Sequence, residues 1–325
     1  MPRILTLPAA LLLAGALLAG NGARAETILV SNEKDNTISV LDGETLKVVQ
    51  TVKVGERPRG IVLSKDGRFL YVCAGDSDRV DVVDTTSWKV VRRLPSGSDP
   101  ERAALHPDGR RLYVANEDDN LVTVVDVERG VVLQEIPVGV EPEGMGLSPD
   151  GRYVVNTSET TNMAHVIDAN SGKIIANVLV GARPRYALWQ PDGKRFWVSS
   201  EIGGTLSLIS ADDWKVVGQV SFSIPGVPRE AIQPVGMAFS ADASKLFVAL
   251  GPANRVAVVD VATREVQRML LVGQRVWNLA LSADGSKLYT TNGVSNDLSV
   301  VDIEAMRVTR SVPVGQAPWG VVVKP

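Results

Sequence analysis

From residue 27 onward, short runs of β-branched and aromatic residues alternate with clusters of polar turn residues, and no helical period of useful length appears after residue 25. The stretch from Arg111 to Gly151 shows the grammar. LYVAN (Leu112–Asn116) predicts one strand, LVTVVD (Leu121–Asp126) a second and VVLQEIPV (Val131–Val138) a third. Gly139 and Pro142 interrupt the chain, and GMGLS (Gly144–Ser148) predicts a fourth, closed by Ser148-Pro149-Asp150-Gly151. Ser-Pro-Asp-Gly suits a type I turn, because proline presets φ at the second position and glycine ends the turn. The turn recurs at Ser64–Gly67, His106–Gly109, Gln190–Gly193 and Ser282–Gly285.

The whole unit recurs as well. The last residue of the VVD run falls at Asp42, Asp84, Asp126, Asp168, Ser210, Asp260 and Asp302, at intervals of 42 except for a single interval of 50. The extra eight residues enter between the fifth and sixth units, at about 221–233. Four short antiparallel strands per 42 residues, seven times over, predict an all-β protein: a seven-bladed β-propeller of four-stranded blades. The first unit lacks the strand that carries the Ser-Pro-Asp-Gly turn, and Pro318 to Lys324 supplies one. The C-terminal strand is therefore expected to join the N-terminal blade and close the ring, which leaves no open blade edge.

Residues 1–25 follow another pattern. Arg3 precedes an apolar run from Ile4 to Leu18 with Pro8 inside it, and Ala23-Arg24-Ala25 reads as a cleavage site. The run is too short and interrupted for a membrane span. The expected organisation is a signal peptide over 1–25 and a single propeller over 26–325. The mature chain is expected to be periplasmic or secreted, without a membrane span, and monomeric. Net charge is −3; without Arg3 and Arg24, 32 basic residues against 37 acidic ones give −5, and nothing favours a nucleic-acid partner. A lone Cys73 excludes an internal disulfide.

LYVAN at 112–116, the VVD strand with its KVV-type follower, VG-x-x-P and SPDG resemble the YVTN-type β-propeller repeat across residues 27–325. In detail the chain is similar to the PQQ-dependent catabolism-associated β-propeller proteins. That resemblance implies an association with pyrroloquinoline-quinone (PQQ) alcohol-oxidation systems, with PQQ as a cofactor by association only. It implies a quinoprotein dehydrogenase or its cytochrome as partner, and brings no catalytic set. The Gly-His and Trp-Asp marks of WD repeats are missing.

The repeat serves as an internal control for candidate chemistry. Cys73 aligns with small residues and reads as packed. His106 sits in a turn and His165 in a strand of another unit, so a bis-histidine metal centre is not expected. The acids Asp76, Asp78, Glu117, Asp118 and Asp119 lack calcium-loop spacing and read as solvated turns. No Ser or Cys is paired by motif with a base. No catalytic or metal residue is assigned.

The informative columns flank the proline that starts each innermost strand, because those loops converge on the channel mouth. After it stand Arg59, Glu101, Glu143, Arg185, Val235, Trp277 and Trp319; before it stand Arg57, Asp99, Glu141, Arg183, Gln233, Arg275 and Ala317. These columns vary while their surroundings repeat, as expected of positions free of packing duty or adapted to a ligand. Arg57, Arg59, Glu101, Glu143, Arg183, Arg185, Arg275, Trp277 and Trp319 form the candidate ligand- or partner-binding set. Two indoles beside guanidinium groups suit a flat anion. The function expected is non-catalytic: an accessory or binding protein, with a PQQ-dependent alcohol oxidation system as the setting that the resemblance implies. The alternatives are a lactonase-type propeller hydrolase using Glu101, Glu143, Arg59 and Arg185, and a structural or surface-interaction protein.

Overall fold

The computed structural model describes residues 26–325, so the signal peptide expected over 1–25 lies outside the described residues. Seven four-stranded antiparallel sheets form the ring. Blade 1 joins Pro318–Lys324 to Thr27–Asn32, Thr37–Asp42 and Val48–Lys53, which is the predicted closure. Blade 2 runs Pro58–Leu63, Phe69–Ala74, Arg79–Asp84 and Lys89–Pro95, from the channel outward. Blades 3 to 7 repeat this order from Pro100, Pro142, Pro184, Met237 and Val276.

The core lies between blades. The second and third strands of each sheet are buried on both faces, which is why their sequences are nearly continuous apolar runs. Trp197 and Leu208 of blade 5 pack on Leu246 and Val248 of blade 6, and each junction holds a cluster of this kind. Only the outermost strands, such as Val48–Lys53, face water along most of their length.

The mouth is set by a device that repeats with the blades. The Asn36 side-chain carbonyl accepts the backbone N–H of Arg57 at 2.9 Å, across one blade junction. Asp78, Asn120, Asn162, Asn254 and Asn296 do the same for Asp99, Glu141, Arg183, Arg275 and Ala317. Donor and acceptor residues alike hold φ between 50° and 59°. That is left-handed backbone, which Asn and Asp tolerate better than other side chains. The column before the proline is therefore not free of structural duty, as its variation suggests. Its backbone is fixed, and only its side chains vary.

The exception explains the insertion. Gly204 stands where the others have Asn or Asp, and the residue 21 places later is Pro225, which has no N–H to offer. There the chain takes a longer path, burying Phe222, Ile224 and Ile232 against Trp197 and Leu250. The innermost strand of blade 6 shortens to Met237–Phe239. Among the described residues, no helix is long and apolar enough to cross a membrane.

Candidate functional site at the channel mouth

Each innermost strand except that of blade 6 enters the ring through a bulge. In blade 2, Pro58 pairs with Ala74 but Ile61 already pairs with Val72, so three steps on one strand face two on the other. The extra residue turns two consecutive positions, 59 and 60 in blade 2, toward the axis. Those positions build two layers of the channel.

The outer layer is ionic and falls into two groups. On one side Glu101, fully buried, accepts Arg59 Nη1 at 2.7 Å and Arg57 Nη1 at 2.9 Å. Arg57 also holds Asp76 at 2.6 Å and pairs with Asp99. Burial acts to raise the Glu101 pKa, but Arg59 and Arg57 outweigh it and hold the carboxyl below its ordinary value. On the other side Arg185 lies among Glu143 at 3.0 Å, Glu201 at 3.5 Å and Glu159. Arg183 contacts Glu159 at 2.7 Å, and Arg275 contacts Glu201 at 3.0 Å. Glu143 is left with Arg185 alone, and neither of its oxygens has a hydrogen-bond partner among the described residues. Burial, with repulsion from Glu101 and Glu159, pushes its pKa up from the ordinary value despite Arg185.

The inner layer plugs the channel. Arg102 of blade 3 crosses the axis, with its guanidinium 4.3 Å from the Tyr186 ring of blade 5 and 4.5 Å from the Trp319 ring of blade 1. Its Nη2 donates to Asn278 Oδ1 of blade 7 at 2.9 Å. Blades 1, 3, 5 and 7 are thereby tied across the centre. The remaining space, about 170 Å³ among Arg102, Glu143, Trp277 and Trp319, is closed to a water-sized sphere. A flat tricarboxylate such as PQQ does not fit it. The arginines of the mouth already hold carboxylates, and Trp277 already lies against Arg275, 4.3 Å from its ring.

Of the sequence candidates, the structure gathers Arg57, Arg59 and Glu101 in one group, and Glu143, Arg183, Arg185, Arg275 and Trp277 in the other. Trp319 belongs to neither: it is 2% exposed and forms part of the plug. Of the acidic turn residues, Asp76, Asp78, Asp118 and Asp119 are exposed, as expected of solvated turns, and Glu117 is the exception. Asp78 caps Asp99, Asp119 accepts the Ser98 N–H, and Glu117 leans in on Glu101. Burial and the neighbouring Glu101 raise the Glu117 pKa to about 7. Oxygens of Asp99, Glu101 and Glu117 lie within 4.8 Å of one another, with Arg57 on Asp99 and Arg57 and Arg59 on Glu101 supplying the positive charge there.

Two further columns, set in line only by the 42-residue register, decide the site. The residue after each second strand reads Glu33, Gly75, Glu117, Glu159, Glu201, Gly251 and Gly293. Its glutamates feed the ionic layer, and a Cβ on Gly75 would strike Arg57 at 2.5 Å. The second position after the proline alternates Gly60, Arg102, Gly144, Tyr186, Gly236, Asn278 and Gly320. At that height the strands converge: a Cβ on Gly60 would lie 2.5 Å from the Glu101 carbonyl. Large side chains therefore fit on alternate strands only.

The remaining candidates are structural. Cys73 is fully buried, and burial raises its thiol pKa. His165 Nε2 accepts the Gly139 N–H at 3.0 Å, while Nδ1 meets Asn177 Oδ1 at 2.6 Å. That is a neutral ring, and burial lowers its pKa. His106 bonds within its own turn and to the Gly151 carbonyl at 2.9 Å.

Comparison with known proteins gives two family matches. The choice-of-anchor I domain matches residues 118–284, just over half the chain, and the YNCE-like β-propeller matches residues 13–106. No curated protein matches at a significant level. Among solved structures, Kuenenia stuttgartiensis hydrazine synthase is similar with a TM-score of 0.78 at 24% identity, covering 85% of this chain and 92% of that one. A functionally unknown protein from Desulfotomaculum acetoxidans has a TM-score of 0.78 at 16% identity, covering 91% and 98%. Dihydro-heme d1 dehydrogenase NirN, solved in complex with DHE, has a TM-score of 0.67 at 18% identity, covering 91% and 74%. At these identities the likeness is one of fold.

Proposed function

The chain belongs to the choice-of-anchor I domain family, and from that premise we propose that it is a non-catalytic, exported β-propeller that holds a protein partner on its channel-mouth face. The system it serves is proposed from the repeat's resemblance: a PQQ-dependent alcohol-oxidation system, with a quinoprotein dehydrogenase or its cytochrome as the partner.

The observation that carries the reading is the rim of the mouth. In the column next to the Glu/Gly positions, blades 1 to 3 present Lys34, Asp76 and Asp118, whereas blades 5 to 7 present Ile202, Pro252 and Val294. Ile202 is 66% exposed and Val294 61%. Exposed apolar side chains grouped on one arc of an otherwise charged rim are a docking feature. The plugged channel beneath supports a flat partner surface over a deep-seated small molecule.

The test is affinity capture of the tagged mature protein from periplasmic extract of alcohol-grown cells, beside Ile202→Lys/Val294→Lys. Capture of a quinoprotein dehydrogenase or cytochrome that the folded variant loses supports the reading. A blank with folded wild-type protein sinks it. One observation favours a hydrolase instead: Glu117, with its pKa near 7, is poised as a proton carrier beside Glu101. Lactone hydrolysis by the wild type that Glu117→Gln abolishes would establish that reading.

A further inference from the structure

At the end of the ring away from the mouth, each blade junction is covered by the residue that ends the turn before an outermost strand. Five junctions carry Leu46, Trp88, Trp214, Arg264 and Met306, and two carry Gly130 and Gly172. All hold φ between 49° and 68°. Trp214, for example, stands edge-on to Tyr153 with ring centroids 4.9 Å apart. At Gly172 the Gln134 side chain occupies the place of the missing one, 2.0 Å from where a Cβ would lie. At Gly130 the aligned side chain, Arg92, leans in less closely, with its Nη2 2.8 Å from where a Cβ would lie. The junction between blades 2 and 3 keeps a cavity of about 480 Å³, in the size range of small-molecule sites.

A second departure from the repeat falls in the same cavity. Tyr71 aligns with Tyr113 and Tyr289, whose hydroxyls bridge to the next blade, onto the Ala169 carbonyl at 3.1 Å and Glu26 Oε1 at 2.6 Å. The carbonyl equivalent to Ala169 is that of Val127, and here Arg92 Nη1 takes it at 2.6 Å. No described residue hydrogen-bonds the Tyr71 hydroxyl, although the residue is 4% exposed. Among the described residues neither Arg92 nor Lys65, which both line the cavity, is in an ion pair. Its acids are otherwise engaged: Asp66 accepts Ser64 Oγ and the Arg68 N–H, and Asp108 accepts Arg111 Nε at 2.8 Å. Glu128 stands 72% exposed.

We propose that this junction is a binding site for a small planar aromatic carboxylate, its ring held among Phe69, Tyr71 and Val82, its carboxylate on Arg92 and the Tyr71 hydroxyl. The aromatic walls give a flat apolar slot, the unpaired guanidinium sets the charge, and the unmet hydroxyl sets the polar end. The site is independent of the mouth.

Benzoate, with uncharged benzamide beside it, is the probe, read by saturation-transfer NMR and titration calorimetry on the mature protein. Benzoate is expected to bind about tenfold more tightly than benzamide, and Arg92→Gln to remove that difference. Tyr71→Phe, a residue the aligned Phe247 shows to be compatible with the strand, is expected to weaken benzoate about threefold to tenfold. Gly130→Trp, whose Cβ would fall 2.8 Å from Arg92 Nη2, displaces that guanidinium and covers the slot as Trp88 and Trp214 do in the same turn, and is expected to abolish binding with the fold intact. Absence of saturation transfer on folded wild type at high-millimolar benzoate would overturn the proposal. So would binding that survives in folded Gly130→Trp.

Discussion

Two guanidinium groups, Arg185 and Arg102, are buried in the same channel within one layer of each other, and they are accommodated in opposite ways. Arg185 is surrounded by Glu143, Glu159 and Glu201, and these carboxylates outweigh burial and hold its proton firmly. Arg102 is in no ion pair among the described residues; it lies between two aromatic faces and spends one N–H on an amide, and burial lowers its pKa. The first solution depends on charge and the second on ring quadrupoles and shape. The ionic layer is thus the part of the mouth that pH and a charged partner can address, while the plug beneath it is insulated from both.

Removing one guanidinium at a time breaks the comparison most directly. Arg185→Met leaves buried carboxylates without a counter-charge and is expected to cost about 3–5 kcal/mol at neutral pH. Urea denaturation should show that loss shrinking toward acid pH, as the orphaned carboxyls take up protons. Arg102→Met keeps the volume and a favourable contact with the rings, so a loss of at most about 1.5 kcal/mol is expected in the same assay, without pH dependence. Equal losses in the two variants would erase the distinction.

Proton linkage sharpens it further. Between its ordinary value of 4.5 and about 7, Glu117 holds a proton in the folded chain that the unfolded chain has released. Stability should therefore fall as pH rises through that window, by no more than about 2 kcal/mol for a half-buried group. Glu117→Gln should flatten the slope in denaturation curves measured across it. Asn120→Ala, which removes the acceptor for the Glu141 N–H, should cost about 1 kcal/mol. The rim pair Ile202→Lys/Val294→Lys should change the melting free energy by less than about 0.5 kcal/mol, since both side chains are exposed.

The blades were legible because each unit obeys the same two demands, an apolar strand pair buried on both faces and a turn every few residues. The 42-residue spacing of Asp42, Asp84 and Asp126 is that demand repeated. The mouth was half legible. Variation in the columns beside the proline located the charged groups, but variation alone cannot separate a side chain on the rim from one sealed in the axis. Trp277 and Trp319 look equivalent in sequence, yet one is half-buried against Arg275 and the other is a wall of the plug. The difference arises across the ring, from Arg102, whose partners Tyr186 and Asn278 lie in other blades. The glutamates at 117, 159 and 201 were hidden by their setting. They follow a strand and precede a turn, and only the 42-residue register sets them in a single column opposite the arginines.

The closure of blade 1 carries a consequence for timing. Gly320 donates its N–H to Ser31, and the two residues are 289 positions apart along the chain. A ribosome delivers Thr27–Asn32 long before Pro318–Lys324, so the earlier strand stands with a bare flank until the later one has been made. Contacts this distant in sequence are slow to form, and an uncovered strand edge invites wrong pairing while it waits. The chain therefore emerges as an open arc, exposed to chaperones and proteases. It becomes a sealed ring in one final step.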